Sequence, residues 1–129
     1  MDAALLDAIA RRHDLQLILQ FGSTVAGRTH ARSDLDIAVL SRAGLTFAAQ
    51  LELMADLQAA SNERAVDLVV LDHADPLLLE KVVSACRLLH GAPRRLAELK
   101  MLAWRRYQDH RRFLAMERAY VERFLQERR

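Results

Sequence analysis

The stretch Gly22-Ser23-Thr24-Val25-Ala26-Gly27-Arg28-Thr29-His30-Ala31-Arg32-Ser33-Asp34-Leu35-Asp36 decides how the chain is read. A Gly-Ser pair is followed by ten residues and then by an Asp-Leu-Asp triplet, with apolar runs on either side. Residues 15–21, a run of Leu, Ile and Phe closed by Gly22, are predicted to form a buried strand. Residues 34–40 are predicted to form the second strand. Strand residues two apart share a face, so Asp34 and Asp36 should present two carboxylates to one site while Leu35 and Ile37 face the opposite way. Two such charges repel one another. A divalent cation relieves the repulsion, and Mg2+ prefers the hard oxygens of one or two carboxylates together with those of a polyphosphate.

Gly22 would let the backbone approach phosphates with no Cβ in the way, and Ser23 would offer its hydroxyl and N–H where a short helical turn begins. Gly27 is expected to make a second tight turn. Arg28, His30 and Arg32 then crowd the loop, and whether Arg28 or Arg32 touches a triphosphate stays open, since loop arginines are commonly solvated. Val66-Asp67-Leu68-Val69-Val70-Leu71 opens a third strand on another acid. An acid within an apolar strand is costly to bury unless it meets a cation or a donor, so Asp67 joins Asp34 and Asp36 as a third carboxylate.

The rest of the chain sets limits on that reading. Its 129 residues suit one domain with a single core, and 52% apolar against 28% charged residues is globular composition. The apolar runs fall well short of the ~20 residues of a membrane-spanning helix, and the N-terminus does not read as a secretory signal, so a cytoplasmic location is expected. Cys86 is the only cysteine; it excludes an internal disulfide and is expected to be a small apolar filler rather than a nucleophile. The net charge of +2 conceals an asymmetry: residues 1–93 hold 8 Lys/Arg against 12 Asp/Glu, and residues 94–129 hold 11 against 5.

Around the strands, Asp2 is a candidate cap for a first helix carrying Leu5, Leu6 and Ile9 on one face. Residues 46–60 read as a helix with Phe47, Leu51 and Met54 on its face. Asp75-Pro76 is a cap followed by proline at the first helical position, and residues 87–90 form a candidate fourth strand. From Pro93 onward Leu96, Leu99, Ala103, Tyr107, Leu114, Val121 and Leu125 recur near the helical period, which predicts one long helix or a kinked pair whose apolar stripe packs on the core. The fold class is α/β (α+β), a small mixed sheet with helices enough to cover one face. The single domain, residues 1–129, divides into a catalytic core of about 1–92 and a helical extension of about 93–129.

Gly22-Ser23, Gly27, Ser33-Asp34-Leu35-Asp36 and Asp67 together resemble the signature of the minimal nucleotidyltransferases (MNT) of the polymerase-β-like superfamily, over roughly residues 5–90. The resemblance implies an enzyme that binds ATP and two Mg2+ ions, with Asp34, Asp36 and Asp67 as metal-binding catalytic carboxylates. It places Gly22, Ser23 and Ser33 at the nucleotide. Chains of this size in that family resemble the antitoxins of HEPN/MNT pairs, which transfer AMP to a tyrosine of a HEPN ribonuclease toxin. A toxin partner is thereby implied, with no membrane and no direct nucleic-acid binding, and the basic helix from Pro93 is then a candidate surface for it beside the packing of its apolar stripe on the core. A small-molecule hydroxyl as acceptor, and inhibition by binding alone, are the alternatives. Arg105 and His110, separated by four residues, mimic an element of the HEPN toxins themselves, but the preceding sheet pattern argues against that assignment.

Overall fold

The computed structural model describes residues 1–22 and 34–128. Two of its helices begin at the caps the sequence offers, and a third is capped by Thr46. Asp2 accepts a hydrogen bond from the Ala4 N–H (2.9 Å) and opens α1, Ala3–Arg12. Thr46 accepts from Ala49 N–H (3.1 Å) at the start of α2, Phe47–Ala60. Asp75 accepts from Leu78 N–H (2.8 Å) ahead of Pro76 in α3, Pro76–Ser84. Each cap satisfies a backbone donor that the first helical turn leaves unpaired. The fourth helix, α4, runs unbroken from Pro93 to Glu127, about 52 Å at 1.5 Å per residue, so the extension is one helix and not a kinked pair.

Four strands, β1 (Leu15–Phe21), β2 (Leu35–Ser41), β3 (Val66–Val70) and β4 (Cys86–His90), form one sheet in the order β3-β2-β1-β4. β1 pairs antiparallel with both β2 and β4, and β2 pairs parallel with β3. The second strand begins at Leu35, one residue later than the sequence pattern suggests, which leaves Asp34 just ahead of it.

Helices cover both faces of this sheet, a correction to the expectation of one. Leu6, Ile9, Leu53 and Leu57 from α1 and α2 pack with Ile18, Ile37 and Val39 on one face. Leu79, Val82, Leu99 and Ala103 from α3 and α4 pack with Leu17, Leu19, Ala38 and Leu40 on the other. Alternate residues of β1 and β2 therefore serve two cores, which is why both strands read as continuous apolar runs. The expected face of α2 also needs correcting. Phe47 and Leu51 are exposed and Met54 is half-buried, while Leu53 and Leu57 are fully buried. In α1, Leu6 and Ile9 face the core but Leu5 is exposed.

Gly91 fixes the turn between β4 and α4. Its φ is +115°, and a Cβ there would lie 2.5 Å from the Gln16 carbonyl oxygen, so only glycine fits without displacement. Beyond the turn, Arg95 Nε donates to Gln16 Oε1 (2.7 Å), which ties the start of α4 to the start of β1. Lys100 then acts electrostatically on Cys86, which pairs with Phe21 at the end of β1. The helix thus travels from the Leu15 end of β1 toward the Phe21 end. Leu99 and Ala103 are its buried residues, and every residue from 111 to 128 is exposed.

Candidate active site

The register of the sheet brings the acids together. Phe21, the last residue of β1, lies opposite Asp36 on β2, and Asp36 lies opposite Asp67 on the parallel strand β3. Asp36 and Asp67 alternate with Leu35, Ile37, Val66 and Leu68, so they belong to the face that α3 and α4 cover further along. Asp36 is half-buried there, whereas Asp34 and Asp67 are exposed.

Three carboxylates at one strand end should raise the cost of ionising the most enclosed one. Burial is the largest cause pushing the Asp36 carboxyl above its ordinary value, followed by the charges of Asp67 and then Asp34. The Lys81 ammonium, reaching in from α3, opposes them. Sequence pattern gave no hint of Lys81, because its place depends on how α3 lies over the sheet. Among the described residues, Asp34, Asp36 and Asp67 have no hydrogen bond or ion pair to another side chain.

Gly22 has a more specific role than phosphate access. Its φ is +78°, and a Cβ built on it would collide with the Asp36 carboxylate, with the carboxyl carbon only 2.9 Å away. Glycine is required by the backbone conformation and by the space that Asp36 occupies. Ser23 and Ser33, with Gly27, Arg28, His30 and Arg32, lie outside the described residues.

The donor set fits Mg2+ in one specific way. Among the described residues no group of three Asp, Glu, His or Cys side chains encloses a single ion position. An all-protein cage of the Ca2+ or structural Zn2+ type is therefore not what these residues build. Mg2+ is commonly held by one or two carboxylates, with phosphate oxygens and waters completing the octahedron, and mutually repelling aspartates on neighbouring strands supply that minimum. Cys86 sits nearby, half-buried; burial pushes its thiol above the ordinary value against the pull of Lys100, which disfavours the thiolate a nucleophile needs.

A small mixed sheet with neighbouring acids at one end, one of them seated against a glycine turn, defines a domain of nucleotidyltransferase class. The chain belongs to the family described as Polymerase beta, Nucleotidyltransferase, which matches residues 5–94. It is 43% identical over 77 residues to protein adenylyltransferase MntA of Shewanella oneidensis, a stretch that is 60% of this chain and 55% of that protein. The match thus spans about half the relative's length. Over whole chains, 97% of this one superposes on 99% of a chain in a toxin-antitoxin crystal structure with AMP-PNP, at 30% identity and a TM-score of 0.76. A chain from the complex of the tri-AMPylated Shewanella oneidensis HEPN toxin with its MNT antitoxin matches at 28% identity and a TM-score of 0.68, with 95% of each chain covered. Among the described residues no helix is long and apolar enough to cross a membrane.

Proposed function

We propose that this chain is an adenylyltransferase antitoxin that transfers AMP from ATP to a tyrosine hydroxyl of a HEPN-class toxin in the cytoplasm. The observation that carries the reading is the side-by-side placement of Asp36 and Asp67 on parallel strands next to Gly22. The relatives support it, since their names and complexes join adenylyl transfer, a bound ATP analogue and an AMPylated toxin.

In this reading the acceptor oxygen bonds to the α-phosphorus of ATP in line with the departing oxygen, and the bond to pyrophosphate breaks. Asp34, Asp36 and Asp67 would between them hold two Mg2+ ions, whose charge would be supplied to the reacting phosphate oxygens. Asp67, exposed on the neighbouring strand, would take the proton from the acceptor hydroxyl. Gly22 leaves room for the Asp36 carboxylate, and Ser23 and Ser33 are the residues expected at the nucleotide.

Incubation with Mg2+, α-labelled ATP and a HEPN-class toxin tests this. Label on a partner tyrosine, lost in Asp34→Asn/Asp36→Asn, is the expected result. An unlabelled partner, still inhibited in full by that variant, would make the chain a binding inhibitor and overturn the enzymatic reading.

A further inference from the structure

The apolar stripe of α4 does not stop where the core ends. From the buried Ala103 the steps to Tyr107, Leu114, Val121 and Leu125 are four, seven, seven and four residues, each of which returns to the same face of a helix. Phe113, Tyr120 and Phe124 run beside that row. Yet Phe113 is 62% exposed and Tyr120 70%, and Leu114, Val121, Phe124 and Leu125 are exposed as well. A contiguous apolar surface of more than a few hundred Å2 is uncommon on a monomer and marks an interaction site.

Its position gives it a purpose. Because α4 runs from the Leu15 end of β1 toward the Phe21 end, the unpacked residues extend past the end of the sheet that carries Asp36 and Asp67. They also leave from the face those acids share with α3 and α4. Between residues 105 and 128 the helix carries seven arginines against four acids, and the Arg128 guanidinium lies 4.5 Å from the Phe124 ring centre. A partner face for this stripe should be apolar at its centre and acidic at its rim. The chains that superpose on 97% and 95% of this one were solved inside toxin-antitoxin complexes, and such coverage leaves about four to six of the 129 residues unmatched, so they include most of this part of α4.

We propose that the exposed stripe from Phe113 to Leu125 is the docking surface for the HEPN-class toxin, and that it holds the toxin's acceptor tyrosine over the carboxylate end of the sheet. The claim rests on the function proposed above for its choice of partner. Docking along α4 would supply the acceptor at high local concentration, so the small domain needs no acceptor pocket of its own.

Leu114→Asp/Val121→Asp tests the surface without touching the packed core, and circular dichroism with the melting temperature checks that the fold is retained. Toxin affinity is measured in an Asp34→Asn/Asp36→Asn background, where no transfer interferes, and transfer is measured in the otherwise native chain. The expected result is affinity at least ~100-fold weaker, with transfer lost at low toxin concentration and recovered as toxin approaches saturation. Toxin binding undiminished by the stripe substitutions would overturn the docking proposal even if transfer persists. So would a homodimer of the unaltered chain, seen by sedimentation, that those substitutions dissociate while leaving toxin affinity intact. Stripe-dependent binding of an unlabelled toxin would instead refute the transfer reading and leave the docking surface standing.

Discussion

Acids at the two ends of this molecule's strands live under opposite conditions. At the end away from Gly22, Asp72 accepts hydrogen bonds from both the backbone N–H (3.0 Å) and the hydroxyl of Ser41, and Ser41 Oγ in turn accepts from Gly44 N–H (2.8 Å). Asp56 holds the buried His13 at 2.7 Å and also Arg12, and Asp7 meets His90 at 2.6 Å. Asp34, Asp36 and Asp67 have no such partners among the described residues and push against one another. The first set closes the fold. In the second set, ionising Asp36 works against the fold, which is the behaviour of a group kept for a ligand.

The sharpest way to break the contrast is chemical. Asp36→Asn should reduce AMP transfer roughly a hundredfold or more, read as loss of label from α-labelled ATP, while the protein stays folded. Asp67→Asn should do the same, and unchanged transfer would remove Asp67 from the site.

Next come the satisfied acids. Asp72→Ala strands two donors of Ser41, a residue only 4% exposed, and should cost about 1–3 kcal/mol in urea unfolding. Asp56→Ala leaves His13 without its carboxylate and should cost a similar amount, about 1–3 kcal/mol. Gly91→Ala, forced into a positive φ against the Gln16 carbonyl, should lose more than about 1 kcal/mol.

The smallest effect has the opposite sign. Asp36 binds its proton more tightly folded than unfolded, because burial and the charges of Asp67 and Asp34 raise its pKa. Ionised Asp36 therefore subtracts stability at pH values above its raised pKa, and this penalty fades as pH falls through that value and below the ordinary one. Without added metal or nucleotide, Asp36→Asn should melt slightly above the native chain at neutral pH, with the gain vanishing in acid.

Much of this was legible in the sequence, for identifiable reasons. That Asp67 comes to Asp36 follows from two short apolar runs that each carry an acid near their start, and two helix starts follow from Asp2 and Asp75, whereas the parallel pairing of the two strands is not readable from the runs. The face of α2 was not legible, because Phe47, Leu51, Leu53, Met54 and Leu57 lie all around the helix and leave no single stripe to choose. The point after His110 where α4 leaves the core is not legible, because period alone does not say where the body beneath a helix ends. Lys81 escaped notice since its approach to Asp36 depends on tertiary placement, and the space that Gly22 leaves for Asp36 is a contact between neighbouring strands that spacing does not reveal.

Thermal melting of the native chain and of Asp36→Asn, each with and without Mg2+ and ATP, tests the central claim most directly. The account predicts that the native chain melts lower without ligand, gains several degrees with it, and that Asp36→Asn gains nothing. A variant that is less stable than the native chain and still stabilised in full by Mg2+ and ATP would show that Asp36 serves the fold and not the ligand.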